Sequence, residues 1–136
     1  MIVIVDDDYD IAKLIKISLQ KAGLSAISFT DPLAALEEFR SHTGDYDILI
    51  SDVRMPTMDG YQLAWQVKKI KPEVKVVLTS AFEYDSIYFS KDLSHENITA
   101  GFIEKPISMA ELSKVVHTLI DNNKPLQYHS NIDPLQ

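Results

Sequence analysis

The chain has 136 residues, a hydrophobic content of 46% and a charged content of 24%, values that suit one soluble globular domain. The net charge of -7 argues against direct nucleic-acid binding, and the absence of cysteine excludes disulfides, thiolate metal sites and thiol catalysis. No apolar run approaches the roughly 20 residues of a membrane span, and the run after Met1 is too short for a signal peptide, so a cytoplasmic protein without membrane insertion is expected.

Apolar runs and amphipathic stretches alternate along the first half of the chain. Residues 2–5 predict a first strand, and residues 9–22 predict a helix because their apolar side chains recur at helical spacing. Residues 24–29 predict an edge strand, and Asp31 with the following proline predicts the start of a second helix. The run 48–52 is bounded by turn residues and is typical of a central strand buried on both faces.

The second half continues this alternation. A third helix is predicted after Asp59, then strands over 74–79 and 100–104, and a last helix opened by Ser108. Between these strands, residues 82–97 do not settle onto one helical face. The alternation predicts a doubly wound parallel α/β sheet with helices on both faces.

One domain over residues 1–121 accounts for all of these elements. Residues 122–136 show no hydrophobic period and predict a flexible C-terminal tail. No output domain follows residue 121, so the chain is expected to be either a stand-alone protein or one domain of a longer protein.

Acidic side chains follow two of the predicted strands. Asp6 and Asp7 come after the first strand, and Asp52 ends the central strand, at the sheet edge where open α/β sheets place ligands. Charges about 5 Å apart repel by roughly 3 kcal/mol at an effective dielectric near 20, so the cluster requires either a hard divalent cation, of which Mg²⁺ fits best, or a protonated carboxylate. The alternative is that Asp6, Asp7 and Asp8 only cap the first helix.

A lysine and a hydroxyl group follow the other two strands at this edge. Lys105 precedes Pro106, which favours a bend (a cis bond is one form of it) from which the ammonium reaches the carboxylates; an ordinary surface lysine is the alternative. Thr79 and Ser80 compete for the hydroxyl role, and Ser80 is preferred because the small Ala81 leaves room for a phosphoryl group; a helix-capping pair is the alternative. Together these groups suit an aspartyl-phosphate site.

The chain resembles the receiver domain of the two-component response regulators over residues 1 to about 121. The matching motifs are Val5-Asp6-Asp7, Ser51-Asp52-Val53-Arg54-Met55-Pro56, Met58-Asp59-Gly60, Ser80-Ala81 and Lys105-Pro106. The resemblance implies a flavodoxin-like fold, with a five-stranded parallel sheet in the order 2-1-3-4-5 and five helices on both faces.

The resemblance also implies site roles. Asp52 would accept a phosphoryl group from a sensor histidine kinase or a histidine phosphotransfer protein, with Lys105 as a catalytic partner. Mg²⁺ would be ligated by Asp7, by Asp52 and by the backbone carbonyl of Arg54, with Asp6 acting through water.

A switch and a readout surface are implied as well. Ser80 would move to the phosphoryl group while the ring of Phe102 turns inward; the alternative for Phe102 is a plain core residue. The state would be read by a downstream protein target, or by a homodimer, through the fourth helix, the fifth strand and the fifth helix. The only catalysis implied is the chain's own phosphorylation and dephosphorylation.

Arg54 and Phe82 are hypothesised to shield the acyl phosphate from water.

Two rival functions share parts of this pattern. A haloacid-dehalogenase-type phosphatase also needs an aspartate pair, which Asp6 and Asp8 mimic, but Asp10 stands where Thr or Val is expected and Asp52 would be unnecessary. A flavodoxin-like nucleotide or flavin binder lacks its Gly-rich or Ser/Thr-rich phosphate loop here.

Overall fold

Six parallel strands form one sheet in the computed structural model, which describes residues 1–82, 99–122 and 128–129. The strands are β1 (Ile2–Val5), β2 (Ala26–Phe29), β3 (Ile48–Asp52), β4 (Lys75–Ser80), β5 (Gly101–Glu104) and β6 (Tyr128–His129). Their order is β2-β1-β3-β4-β5-β6, and each neighbouring pair is parallel. The predicted doubly wound sheet in the order 2-1-3-4-5 is confirmed, and β6 extends it beyond β5.

Helices cover both faces of this sheet. They are α1 (Tyr9–Lys21), α2 (Pro32–Ser41), α3 (Gly60–Ile70) and α4 (Met109–Asn122), with a short 3-10 turn at Thr43–Asp45. A helix between β4 and β5, implied by the resemblance, falls on residues 83–98, outside the described residues, so the full readout surface stays a prediction. None of the helices in the described ranges is long and apolar enough to cross a membrane.

The helices begin at side-chain caps that the sequence supplies after each strand. The Asp8 carboxylate accepts hydrogen bonds from the backbone N–H groups at the start of α1, and Asp31 does the same for α2. At α3, Asp59 and Gln62 form a capping box in which each side chain accepts from the other residue's N–H. Each helix therefore starts close to the end of the strand that precedes it.

The core is divided by the sheet into two clusters. One cluster, which includes Phe39, Leu49 and Leu63, packs beneath α2 and α3; the other, which includes Ile50 and Leu112, packs beneath α1 and α4. Alternate residues of β3 enter opposite clusters, and all five residues of β3 are buried. The prediction of a central strand buried on both faces is confirmed.

The last part of the chain adds one strand to the fold. The helix α4 ends at Asn122, and β6 lies within the stretch 122–136 that was predicted to be a flexible tail. Residues 123–127 and 130–136 lie outside the described residues, so flexibility stays a prediction there.

Candidate functional site

Three carboxylates converge where β1 and β3 end. These strands are neighbours in register, with Val5 opposite Ser51, so Asp6 and Asp52 leave the sheet side by side. One carboxylate oxygen from each of Asp6, Asp7 and Asp52 lies within 4.8 Å of the other two. Asp6 and Asp52 are buried whereas Asp7 is exposed, so the cluster opens to solvent on the Asp7 side. The predicted convergence of these side chains is therefore present.

Lys105 reaches this cluster from the end of β5. Its ammonium nitrogen lies 2.8 Å from Oδ2 of Asp6 and 3.3 Å from Oδ2 of Asp52. Its backbone N–H donates to the carbonyl of Ser80 at 2.7 Å, which fixes the chain at the bend, and the Lys105–Pro106 bond is cis. The ammonium is thus held against the carboxylates rather than in bulk water.

Burial governs the charge state of the phosphoacceptor candidate. Burial raises the pKa of Asp52 from 3.8 to about 6, and the Asp6 carboxylate adds to this rise, while Lys105 opposes it. Burial alone would lower the pKa of Lys105, but its hydrogen bond to Asp6 and the charge of Asp52 outweigh that and leave the pKa raised. Asp52 is therefore an anion at neutral pH that is only partly compensated by its neighbours.

The hydroxyl and the aromatic residue of the implied switch are both inside the protein. Ser80 ends β4 and is fully buried, and its Oγ accepts a hydrogen bond from the N–H of Phe82 at 3.0 Å. Phe102 is also fully buried, in the core cluster that contains Leu78 of the neighbouring strand. The ring of Phe102 thus has the inward position, which also suits its alternative as a core residue.

Two bulky side chains that follow β3 and β4 contact each other. The guanidinium carbon of Arg54 lies 4.5 Å from the ring centroid of Phe82, so the two exposed side chains form a cation–π pair. The two residues are hypothesised to shield the acyl phosphate together, but their contact with each other was not predicted. Because Arg54 and Phe82 are far apart in the sequence, no local pattern predicts this contact.

A glycine behind Asp52 is a structural requirement that sequence reasoning missed. A Cβ atom at Gly60 would lie 2.3 Å from the backbone oxygen of Asp52, closer than atoms approach without displacement. The N–H of Gly60 donates to the Val53 carbonyl at 2.8 Å, so the first turn of α3 rests against the end of β3. A glycine at the first helical position, right after a capping aspartate, is the signal that could have revealed this contact.

Comparisons with known proteins define the class to which this fold and site belong. The family model for the response regulator receiver domain matches residues 2–117. The chain therefore belongs to the receiver domain family of two-component systems, as the motifs implied.

The individual similarities are moderate in identity and cover most of this chain. The Escherichia coli (strain K12) transcriptional regulator NtrC is 30% identical over 129 residues, which are 95% of this chain and 26% of NtrC. The sensor kinase CckA of Brucella abortus (strain 2308) is 31% identical over 104 residues, 76% of this chain and 11% of that kinase. The chain thus spans about a quarter or less of these curated relatives.

Solved structures of response regulators share this fold, and one of them is a complex with Mg²⁺-BeF. The Thermotoga maritima response regulator TrrA, in complex with Mg²⁺-BeF, has a TM-score of 0.73 and 30% identity, with 87% of this chain and 96% of TrrA covered. A structure from Neptuniibacter caesariensis has a TM-score of 0.74 and 31% identity, with 93% and 95% covered. The likeness therefore extends over nearly the whole of these chains.

Proposed function

We propose that this receiver is a phosphorylation switch in which Asp52 accepts a phosphoryl group from a sensor histidine kinase or a histidine phosphotransfer protein. The observation that supports this most directly is the pair of contacts from the Lys105 ammonium to Asp52 and to Asp6 beside it. A buried carboxylate with a fixed cation at its side is suited to receive phosphorus, because the cation stabilises negative charge as it develops.

The transfer uses a nucleophile that is already ionised. The pKa of Asp52 is raised to about 6, which leaves the carboxylate deprotonated at neutral pH. An oxygen of Asp52 forms a bond to phosphorus while the bond from phosphorus to the donor's imidazole nitrogen breaks, and the imidazole leaves with that electron pair. The Lys105 ammonium compensates charge on the phosphoryl oxygens, and the buried Ser80 hydroxyl donates to one of them.

The donor set at this edge fits Mg²⁺. Three carboxylates within reach of one another offer hard oxygen ligands, and such a cluster is costly without a cation. Asp7, Asp52 and the backbone carbonyl of Arg54 would hold the ion directly, and Asp6 would act through water. When bound, the ion supplies positive charge for the phosphoryl oxygens; the complex of TrrA with Mg²⁺-BeF supports the assignment.

The phosphoryl group would act by shifting populations of two conformations. Contacts of Ser80 with the phosphoryl oxygens would favour one of them, and Phe102 would follow because β4 and β5 are paired. A downstream protein in the cytoplasm, or a second copy of the chain, would read the state through the surface around β5. The chain's only chemistry would be its own phosphorylation and dephosphorylation.

Mass mapping of an incubated sample tests this proposal. The protein is incubated with Mg²⁺ and acetyl phosphate, and the base-labile phosphate is located by mass spectrometry. We expect one label on Asp52, absent in Asp52→Asn and retained in Asp10→Asn, a matched change at an exposed aspartate of α1. Label elsewhere, or repeated turnover of a phosphomonoester that depends on Asp6, would contradict the proposal and favour a phosphatase.

A further inference from the structure

The outer edge of β5 is covered by a segment that follows the last helix. Tyr128 and His129 form β6, which pairs in parallel with Phe102 and Ile103 of β5. Without β6 the strand β5 would end the sheet, and the free peptide groups of an edge strand are a template for another strand. The chain's own C-terminal segment therefore occupies a surface on which another strand would fit.

This pairing is short enough to be reversible. The strand β6 has two residues, whereas β4 pairs with β5 over four. A ladder of two residues makes few hydrogen bonds, and the net gain from each is similar to the entropy cost of ordering one residue. The free energy of the pairing is therefore close to zero, so a small change in β5 shifts it.

The strand β5 connects this pairing to the acidic edge. Phe102 and Ile103 are fully buried in the two different core clusters, so β5 is packed on both faces. Two residues after Ile103, the Lys105 ammonium lies 3.3 Å from the Asp52 carboxylate. A group on Asp52 that takes this ammonium as its own counterion acts directly on the C-terminal end of β5.

We propose that Tyr128–His129 is a removable cover on the outer edge of β5, paired while Asp52 is unmodified and released when Asp52 carries a phosphoryl group. This inference rests on the proposed function, because it needs that group on Asp52. The coupling is reciprocal. If a phosphoryl analogue weakens the pairing of β6 with β5 by a given factor, the uncovered form binds the analogue more tightly than the covered form by the same factor. Phosphorylation would then expose the strand edge for recognition.

Amide hydrogen exchange in the full chain tests the cover directly. Exchange is measured residue by residue with and without Mg²⁺ and beryllium fluoride, and fluorine NMR shows whether the site is loaded. A cover whose pairing free energy is close to zero is open about half of the time, so its release can accelerate exchange by at most about twofold. We expect loading to accelerate exchange by about this factor at the amides bonded between β5 and β6, but not at those between β1 and β3. Unchanged exchange in the loaded protein overturns the cover alone, whereas failure to load overturns the proposed function and the cover together.

A proline variant tests reciprocity. His129→Pro removes an amide and disfavours pairing in β6, and Asn131→Pro is the matched control beyond that strand. We expect His129→Pro to bind beryllium fluoride with Mg²⁺ up to about twofold more tightly than the wild type, because about half of the wild-type molecules are covered, and the control to match the wild type. Equal affinity in both variants would overturn the coupling.

Discussion

The two ends of the sheet differ in how their carboxylates are paired with cations and hydrogen-bond donors. At the end where the strands start, the Asp47 carboxylate lies 3.0 Å from the N-terminal ammonium and 3.9 Å from the Lys71 ammonium. Nearby, Glu38 accepts a hydrogen bond from the Tyr46 hydroxyl and lies 3.1 Å from Nδ1 of His42. The carboxylates of Asp47 and Glu38 at this end are thus each matched by two donors.

At the end where the strands finish, the carboxylates of Asp6, Asp7 and Asp52 lie close together, and the Lys105 ammonium contacts two of them, Asp6 and Asp52. Burial raises the pKa of Asp52, and the neighbouring Asp6 carboxylate adds to the rise; perturbed pKa values of this kind are concentrated at functional sites. Paired charges at the first end stabilise the fold, whereas the excess of carboxylates at the second end is what the proposed function requires for a cation and a phosphoryl group.

Removing one lysine from each end gives the largest contrast. Lys105→Ala leaves buried Asp6 and Asp52 without their cation, so we expect a loss of about 2–4 kcal/mol in the free energy of unfolding and phosphorylation about 100-fold slower. Lys71→Ala removes a hydrogen bond to the Tyr46 carbonyl and should cost about 1 kcal/mol, with phosphorylation unchanged. Urea denaturation and acetyl phosphate kinetics measure both; equal effects of the two variants would contradict the comparison.

Neutralising Asp52 should stabilise the protein in the absence of metal. Because the folded pKa of Asp52 is raised from 3.8 to about 6, the carboxyl's favourable contribution is present below about pH 4 and is lost as pH rises through about 6. We expect Asp52→Asn to be more stable than the wild type by roughly 1–2 kcal/mol at about pH 7.5, after allowance for solvent screening. Denaturation curves should converge towards pH 4, and a difference independent of pH would refute this reading.

At the end where the strands start, removal of a hydroxyl should lower the stability of the protein, whereas neutralising Asp52 at the other end should raise it. Tyr46→Phe keeps the aromatic ring, whose centroid lies 5.3 Å from that of Phe39, but removes the hydroxyl that donates to Glu38. We expect the free energy of unfolding to fall by about 1 kcal/mol. Burial raises the pKa of Tyr46 to about 12, with the Glu38 contact adding to it, so the wild-type advantage should hold below about pH 10 and vanish towards pH 12. Thermal unfolding across this pH range measures it.

The smallest effect concerns the cation–π pair of Arg54 and Phe82. If Arg54 and Phe82 exclude water, Arg54→Ala and Phe82→Ala should each shorten the acyl phosphate lifetime about two- to fivefold, the rate factor for roughly 0.5–1 kcal/mol of an exposed pair. Trp65→Ala is the matched control, since Trp65 pairs with Lys69 on α3. Phosphate lifetimes equal to the control would remove the shielding hypothesis.

The sequence predicted those features that are determined by residues close together in the chain. The apolar run that ends in Asp52 predicted a buried central strand, and the register of β1 with β3 then brings Asp6 beside it. The contact from Lys105 was expected from a bend before Pro106, which is again a local constraint.

Contacts that depend on loop conformation or on very short elements were not foreseen. The stacking of Arg54 on Phe82 joins two loops, and neither residue's neighbours encode it. The strand β6 has two residues, too few for any period to appear in the sequence. The paired charges around Asp47 depend on the fold as a whole, because Lys71 and the N-terminus approach from separate segments.

The close approach at Gly60 has a consequence for genetic screens. Because a Cβ atom there would lie 2.3 Å from the Asp52 backbone oxygen, each alternative residue forces the start of α3 away from the end of β3. In a saturation-mutagenesis library selected for signalling, position 60 would tolerate as few substitutions as position 52, although glycine has no side chain that could contact a phosphoryl group. Scoring the same library for protein abundance would separate the two positions, since Asp52→Asn variants would accumulate and Gly60 variants would be degraded.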